Sequence, residues 1–381
     1  MDRTHHIYLV PGFFGFANLG EFSYFSHPDL FLRERFAREG IPVRIVRVHT
    51  LPTASLRKRA ETLARTILDT DELAPEDPVH LVGHSTGGLD ARLLVSPGVS
   101  LGEDLDIERI VSQVETVVTV ATPHHGTPLA SFFGSSMGQP LLRLLSLATV
   151  YTLRFGHLPL SFLLKLAGLL FRLDNAMGWK DTIVDQLFGQ LLEDFSPDRR
   201  MAVSRFFQEV RSDQALVFQL TPDSMDVFNT STTDRPSVRY GSVVTRGRSP
   251  GLGARLACRL DPYAHVTHTA YDLLHRFTAR MSLESVPPPK RGQARALSLA
   301  YGRVPRPKAN DGIVPTLSQA WGQIIKATEA DHLDIIGHFG DRSRTPPHVD
   351  WLASGSEFDR IDFEDTWSRV AEFLTNRQKS D

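Results

Sequence analysis

Cysteine is almost missing from this chain. Of 381 residues only Cys258 carries a thiol, so a disulfide within the chain is excluded, and a cysteine-built zinc module with it. A dominant charge is missing too: 42 Lys and Arg stand against 44 Asp and Glu, a net charge of −2. The chain as a whole therefore offers no strong field for nucleic acid or an anionic membrane. Long apolar runs are also lacking. The most apolar stretch, Leu158 to Leu173, carries Lys165 and Arg172 and falls short of the roughly 20 apolar residues of a spanning helix, so no transmembrane span is expected. Met1-Asp2-Arg3-Thr4-His5-His6 leads into Ile7 with no basic segment, apolar core or small-residue cleavage site. No signal peptide is read there, and a cytoplasmic location is the expectation, with export by a signal-less route as the alternative. Gly251-Leu252-Gly253 has no third glycine and is no nucleotide fingerprint. No internal repeat is apparent.

What is present is a composition of 41% hydrophobic and 23% charged residues, enough to bury a sizeable core. Short apolar, β-branched-rich runs at Ile7–Val10, Val43–Val48, Val79–Val82 and Thr116–Val120 read as strands buried on both faces of a parallel sheet. Between the second and third, Leu56, Ala60, Leu63, Ala64 and Ile67 recur at helical spacing, which makes a βαβ succession and an α/β fold. Further strands are expected at Ala215–Leu220 and Ser237–Thr245, and a last helix at Phe363–Leu374. Two segments break this rhythm. Residues 129–205 are helix-like and rich in Leu and Phe; residues 247–306 pass through Pro287-Pro288-Pro289-Lys290 into a Pro/Lys/Arg-rich run ending at Lys308. The expected organisation is a core in three pieces, 1–128, 206–246 and 307–381, interrupted by insertions at 129–205 and 247–306.

The stretch that carries chemistry is Leu81-Val82-Gly83-His84-Ser85-Thr86-Gly87-Gly88, in which an apolar strand runs into G-x-S-x-G and then into a helical pattern. This is the context that a nucleophile elbow requires. The turn is so sharp that only small residues two positions either side of the serine let the chains pass, and Gly83 and Gly87 fill both places. A serine at its free pKa is a poor nucleophile and needs a base, and an acid to orient that base. In this fold the chain order is Ser, acid, His. Asp311 in Asn310-Asp311-Gly312 and His332 in Asp331-His332-Leu333 follow Ser85 in that order; a plain N-D-G turn is the structural alternative for Asp311, and His338 and His348 compete with His332. The oxyanion hole should use the backbone N–H of Thr86, after the nucleophile, and that of Phe13 in Val10-Pro11-Gly12-Phe13, after the first strand.

These segments, with Val117–Leu129 and Leu220–Asn229, resemble the bacterial triacylglycerol lipases, especially the thermophilic bacillus and staphylococcal kind. The likeness spans roughly 5–130, 215–245 and 308–375. It implies an α/β-hydrolase fold, a mostly parallel sheet flanked by helices with a helical lid inserted, and hydrolysis of acyl esters by Ser85, His332 and Asp311. Such a scheme needs no cofactor. The resemblance also implies calcium near the catalytic histidine, at an acidic residue two positions after it. Asp334 matches, whereas a second acidic position is taken by Phe339, with only Asp341 nearby. Pro11-Gly12 stands where relatives usually have His-Gly, and the bacillus zinc insertion is not found.

Two other groups invite a metal reading. His124 and His125 are adjacent, point apart and lack accompanying carboxylates, so a structural turn is favoured. Asp261, His265, His268, Asp272 and His275 fall at helical spacings, but without cysteine or H-E-x-x-H they read as a solvated face. The Leu158–Leu173 helix, apolar nearly all round, must bury itself. It is expected either as a fixed cap or as a lid that opens at a lipid surface, and both give an apolar roof over Ser85. The expected function is a serine carboxylic-ester hydrolase, a lipase acting on medium- to long-chain acyl esters. The alternatives are another acyl substrate (thioester, phospholipid or polyhydroxyalkanoate) and a silent lipid-binding protein of the same fold.

Overall fold

The computed structural model describes residues 3–13, 24–50, 53–71, 73–135, 213–251, 262–282, 285–341 and 348–376, with Ser343 and scattered positions between 138 and 208. Six strands form one sheet: β1 (His5–Val10), β2 (Val43–Arg47), β3 (Val79–His84), β4 (Val114–Val120), β5 (Arg239–Arg246) and β6 (Gln323–Glu329). All pairings are parallel, in the order β2-β1-β3-β4-β5-β6. The architecture is α/β, as the sequence predicts.

The inner strands β1, β3 and β4 are covered on both faces, which is why they read as largely apolar runs, whereas the edge strands β2 and β6 are only partly buried. Side chains still alternate between the faces. Ile7 and Leu9 of β1 join one buried cluster with Leu32 and Phe36 of α1 (Ser26–Arg38) and Trp367 and Val370 of the C-terminal Arg360–Thr375 helix. Tyr8 and Val10 point the other way, against Leu63 and Ile67 of α2 (Leu56–Leu68) and Leu94 of α3 (Gly87–Val95). Leu56, Ala60, Leu63, Ala64 and Ile67 are all buried, the face expected from their spacing. Ser55 caps α2 by accepting from the N–H of Lys58, 3.3 Å away. The Arg291–Tyr301 helix lies on β6, where Leu297 and Tyr301 bury against Val244.

One expected strand is a helix. Ala215–Gln219 forms a short helix, with Leu216 and Val217 buried and the Leu216 N–H given to the Thr53 carbonyl at 3.1 Å. A five-residue apolar run has no periodicity to distinguish strand from helix, and this one has no sheet edge to join. Within 129–205 the structure describes the helices Pro128–Phe133 and Asp181–Glu193. Most of the expected Leu158–Leu173 helix lies outside the described residues. Among the described residues no helix is long and apolar enough to cross a membrane.

The strand order places the site. From β1 the chain crosses to β2 on one side, then back over β1 to β3 on the other, so the β1/β3 boundary is the topological switch point, where a crevice opens beyond the strands' C-terminal ends. Val10 is in register with Gly83 across that boundary, which sets the loop after β1 beside Ser85.

Candidate active site

Ser85 follows directly on β3 with φ of 54°, a left-handed conformation that a non-glycine residue adopts at a cost. Its N–H is fixed by the Val120 carbonyl at 2.8 Å, and Leu89 and Asp90 donate to the Thr86 carbonyl as the helix begins. The glycine requirement is literal. A side chain on Gly83 would overlap the backbone of Gly87, and one on Gly87 the carbonyl of Val10. Gly12 meets the same limit from the other side, since a Cβ there would come within 2.5 Å of the Ser85 Cβ. The departure Pro11-Gly12 therefore keeps the small residue where it packs on the nucleophile.

Asp311 is fully buried and saturated with donors. Its Oδ1 accepts the N–H groups of Ile313 (3.0 Å) and Val314 (2.7 Å); its Oδ2 takes bonds from Thr245 (2.8 Å), Gln319 (3.1 Å) and His332 Nδ1 (2.8 Å). The N-D-G turn is real, with Gly312 at φ of 96°, and it aims the carboxylate at the histidine. His332 donates its own N–H to the Asp311 carbonyl at 3.0 Å. Its carbonyl is bonded by His84 Nε2 at 2.9 Å, and the His84 and His332 rings lie 4.7 Å apart, which ties His332 to the residue before Ser85. Among the described residues no hydrogen bond joins Ser85 Oγ to His332. Such bonds are often long in unliganded enzymes and tighten when substrate binds. The competitors are occupied elsewhere. His348 Nδ1 bonds the Gly337 carbonyl at 2.7 Å, and His338 stacks on Trp351 at 3.9 Å.

Thr86 opens α3, so its N–H is among those a helix leaves without an internal acceptor. Phe13 and Thr86 line, with Ser85, a narrow apolar cavity of about 40 Å³ whose other walls include Leu129, Phe133 and Val217. Behind Phe13 sits a device the sequence reading did not find. Arg59 and Asp90, both fully shielded, pair at 2.7 Å, and Arg59 also donates to the Pro11 carbonyl at 2.6 Å. Burial pushes the Asp90 carboxyl up to about 6, against the pull of Arg59. The only hint in the sequence is a charged residue on the apolar stripe of α2. Gln319 and Thr245 were missed as well, because nothing local marks a side chain that serves a carboxylate 8 or 66 residues away.

Next to His332, Asp331, Asp334 and Asp350 bring carboxylate oxygens within 4.8 Å of one another, and among the described residues no other such group occurs. Asp334 is the residue expected there. Asp341 is not part of the cluster: it caps the N–H of Ser343 at 2.8 Å, and the third carboxylate comes from Asp350. Burial pushes the Asp331 carboxyl up to about 7, and burial together with the charges of Asp331 and Asp350 pushes Asp334 well above the ordinary carboxylate range. Asp331 Oδ2 is buried without a hydrogen-bond partner among the described residues. Three oxygen donors with one unpaired suit a hard cation, so the residues fit calcium.

The other histidine groups take structural places. His124 bonds Arg92 at 3.1 Å through Nδ1 and stacks on Trp321 at 5.1 Å. Burial, with Arg92 nearby, lowers the basicity of both His124 and His125. The solvated face expected for the Pro262–Thr278 helix is corrected: His268, Asp272 and His275 are buried against the body of the protein, and only His265 of the described members is exposed. An amphipathic helix needs one buried face, and here the polar side chains share it, His268 by bonding the Ala353 carbonyl at 2.7 Å. Asp261 lies outside the described residues.

The parallel sheet, the strained serine after β3 and an acid–histidine pair at the C-terminal ends of β5 and β6 define an α/β-hydrolase fold. No family model and no curated protein sequence matches the chain. Solved structures do. Lipase 1 from Pelosinus fermentans superposes with a TM-score of 0.54 at 18% identity, covering 99% of this chain and 100% of that one. EstA from Clostridium botulinum has the same score and identity over 99% of this chain and 88% of its own. Staphylococcus hyicus lipase gives 0.53 at 15% identity, covering 97% and 95%. Two of these three neighbours are lipases by name, and what the chain shares with all three is the fold.

Proposed function

We propose that this protein is a serine carboxylic-ester hydrolase of the lipase kind, acting on acyl esters with apolar chains. What supports the reading is the buried Asp311–His332 bond of 2.8 Å, together with Ser85 in a strained elbow and the bond from its neighbour His84 to the His332 carbonyl. Ser85 Oγ attacks the ester carbonyl while His332 Nε2 takes its proton. Asp311 holds His332 with Nδ1 protonated, leaving Nε2 free to accept, and balances the imidazolium that forms. The N–H groups of Phe13 and Thr86 receive the negative oxygen of the tetrahedral intermediate, a contribution of about 10²–10³ in rate per donor. His332 then protonates the leaving alkoxide, and water activated by the same ring releases the acid from Ser85.

The apolar lining supports an acyl chain, although about 40 Å³ is far below the volume a long chain fills. Binding one requires the lining to move apart, and the Leu129 and Phe133 side chains, at the start of the 129–205 segment, are where a lid would act. Met201 and Phe218 are large apolar side chains exposed in this part of the chain, and they favour transient contact with a lipid surface. Calcium, if bound, would sit on Asp331, Asp334 and Asp350, where it would neutralise crowded carboxylates and brace the turn that carries His332.

Hydrolysis of p-nitrophenyl esters from acetate to palmitate tests the reading, with Ser85→Ala as control and a fluorophosphonate to mark the nucleophile. Fastest cleavage of octanoate or longer, abolished with labelling in Ser85→Ala, supports a lipase. A folded protein that neither turns over nor takes the label is a silent lipid-binding relative of the fold.

A further inference from the structure

A second cleft, of about 660 Å³, shares no lining residue with the cavity at Ser85. It is walled by the C-terminal ends of β5 and β6, by the loop at 355–357 and by the Pro/Arg/Lys-rich run that follows the Arg291–Tyr301 helix. Five cations face it against two carboxylates. Both carboxylates are already committed: Glu329 pairs with Arg246, which also covers the Tyr301 ring at 4.2 Å, and Glu357 pairs with Arg248 at 3.0 Å. Arg303, Arg306 and Lys308 are exposed and have no carboxylate partner among the described residues. Three positive charges are therefore left over on one wall of a chain whose total charge is −2.

These three are also held in place. Gly302 ends the preceding helix at φ of 74°, Pro305 is buried, and Pro307 fixes a further φ. The Ala309 N–H closes a turn onto the Arg306 carbonyl at 2.9 Å, and the Asn310 side chain grips the carbonyls of Lys308 (2.9 Å) and His275 (3.2 Å). Cations held close together on a braced backbone repel one another and are relieved by an anion.

We propose that this cleft binds a phosphate-bearing anion, gripped by Arg303, Arg306 and Lys308. Phosphate fits better than a lone carboxylate, because its oxygens accept the planar guanidinium forks two at a time and its charge matches several cations. The volume exceeds that of a bare ion and has room for an organic group attached to the phosphate. Two sources share this chemistry, a lipid headgroup and a free phosphate compound. The inference does not depend on the ester-hydrolase reading.

The full chain is titrated with pyrophosphate by calorimetry at low salt and, separately, sedimented with phosphatidylcholine vesicles with and without phosphatidic acid. Binding in either arm is expected, with pyrophosphate alone reporting a free ligand and phosphatidic acid alone a headgroup. The variant Arg303→Ala/Arg306→Ala/Lys308→Ala should weaken it by about a hundredfold, at roughly tenfold per charge-assisted bond lost for the stronger contacts. Arg38→Ala/Arg57→Ala/Arg109→Ala, which removes the same charge elsewhere, should not. Melting temperature and p-nitrophenyl butyrate turnover should stay as in the wild type for both variants. No binding in either arm, or equal weakening by the two triple variants, overturns the proposal.

Discussion

Asp311 and Asp331 both adjoin His332, one through a hydrogen bond and the other in the chain; both are shut off from solvent, and their oxygens are treated in opposite ways. Every lone pair that matters on Asp311 is met: two backbone N–H groups hold Oδ1, and a hydroxyl, an amide and an imidazole hold Oδ2. Asp331 has the same kind of cradle on Oδ1, from the N–H groups of Leu333 and Asp334, but no partner on Oδ2 among the described residues, and two further carboxylates crowd it. Burying a carboxylate without partners is costly, so the first arrangement is stable as an anion by itself and the second calls for a proton or a cation. Orientation of a base needs a charge that never moves. A cation site needs a charge left open.

The sharpest way to break this comparison is to remove the charge from Asp311. Asp311→Asn should keep the fold, since an amide can occupy the same cradle, yet lower kcat by about 10⁴ because it presents the wrong partner to His332 Nδ1. Ser85→Ala should go further, to about 10⁶. A loss below tenfold in Asp311→Asn, measured on a p-nitrophenyl ester, would mean that His332 takes its orientation from elsewhere.

On the other side, calcium should act on stability more than on chemistry. At a hundredfold excess over its Kd the ion should add about 2.7 kcal/mol to the wild type in urea unfolding, relative to chelator. Asp331→Asn should lose most of that gain, while its stability in chelator rises, because one of three crowded carboxylates has gone. Identical unfolding curves with calcium and with chelator would assign the cluster to protonated acids instead.

How much of this was legible depended on whether a feature is local in the chain. The elbow could be read because Gly83, Ser85 and Gly87 satisfy one steric demand within five positions, and β1, β3 and β4 because strands covered on both faces leave largely apolar runs. Asp311 and His332 could be ordered but not joined, since only the fold brings the ends of β5 and β6 together. Asp350 escaped because its partners lie 16 and 19 positions back, and the Ala215–Gln219 helix because five apolar residues carry no period. The cationic cleft was hidden by the near-zero total charge, which averages away a local excess.

Gln319 offers a finer cut. Its amide donates to Asp311 Oδ2 and to the Val314 carbonyl while its oxygen accepts from the Thr245 N–H at 2.7 Å, so it sets where the carboxylate points without touching substrate. Gln319→Ala strips one of three donors from Oδ2 and leaves a buried N–H unpaired, a destabilisation of about 1–3 kcal/mol. The expected kinetic signature is a fall in kcat with KM unchanged. A change in KM alone would place Gln319 with binding rather than positioning.

Thr245→Val should give the smallest effect. It removes the hydroxyl that donates to Asp311 Oδ2 at 2.8 Å but keeps the shape of the side chain, and Gln319 and His332 remain on that oxygen. One neutral-to-charged bond is lost from a carboxylate that has four others, so the cost should be about 1 kcal/mol in stability and only a few-fold in kcat. The contrast with Asp331 makes the measurement informative. If Asp311 is held by redundancy, single donors are individually cheap, and combining Thr245→Val with Gln319→Ala should cost more than the two changes summed. A strictly additive pair would mean that the donors act independently, and that His332 is kept in place by the chain around it rather than by the shared carboxylate.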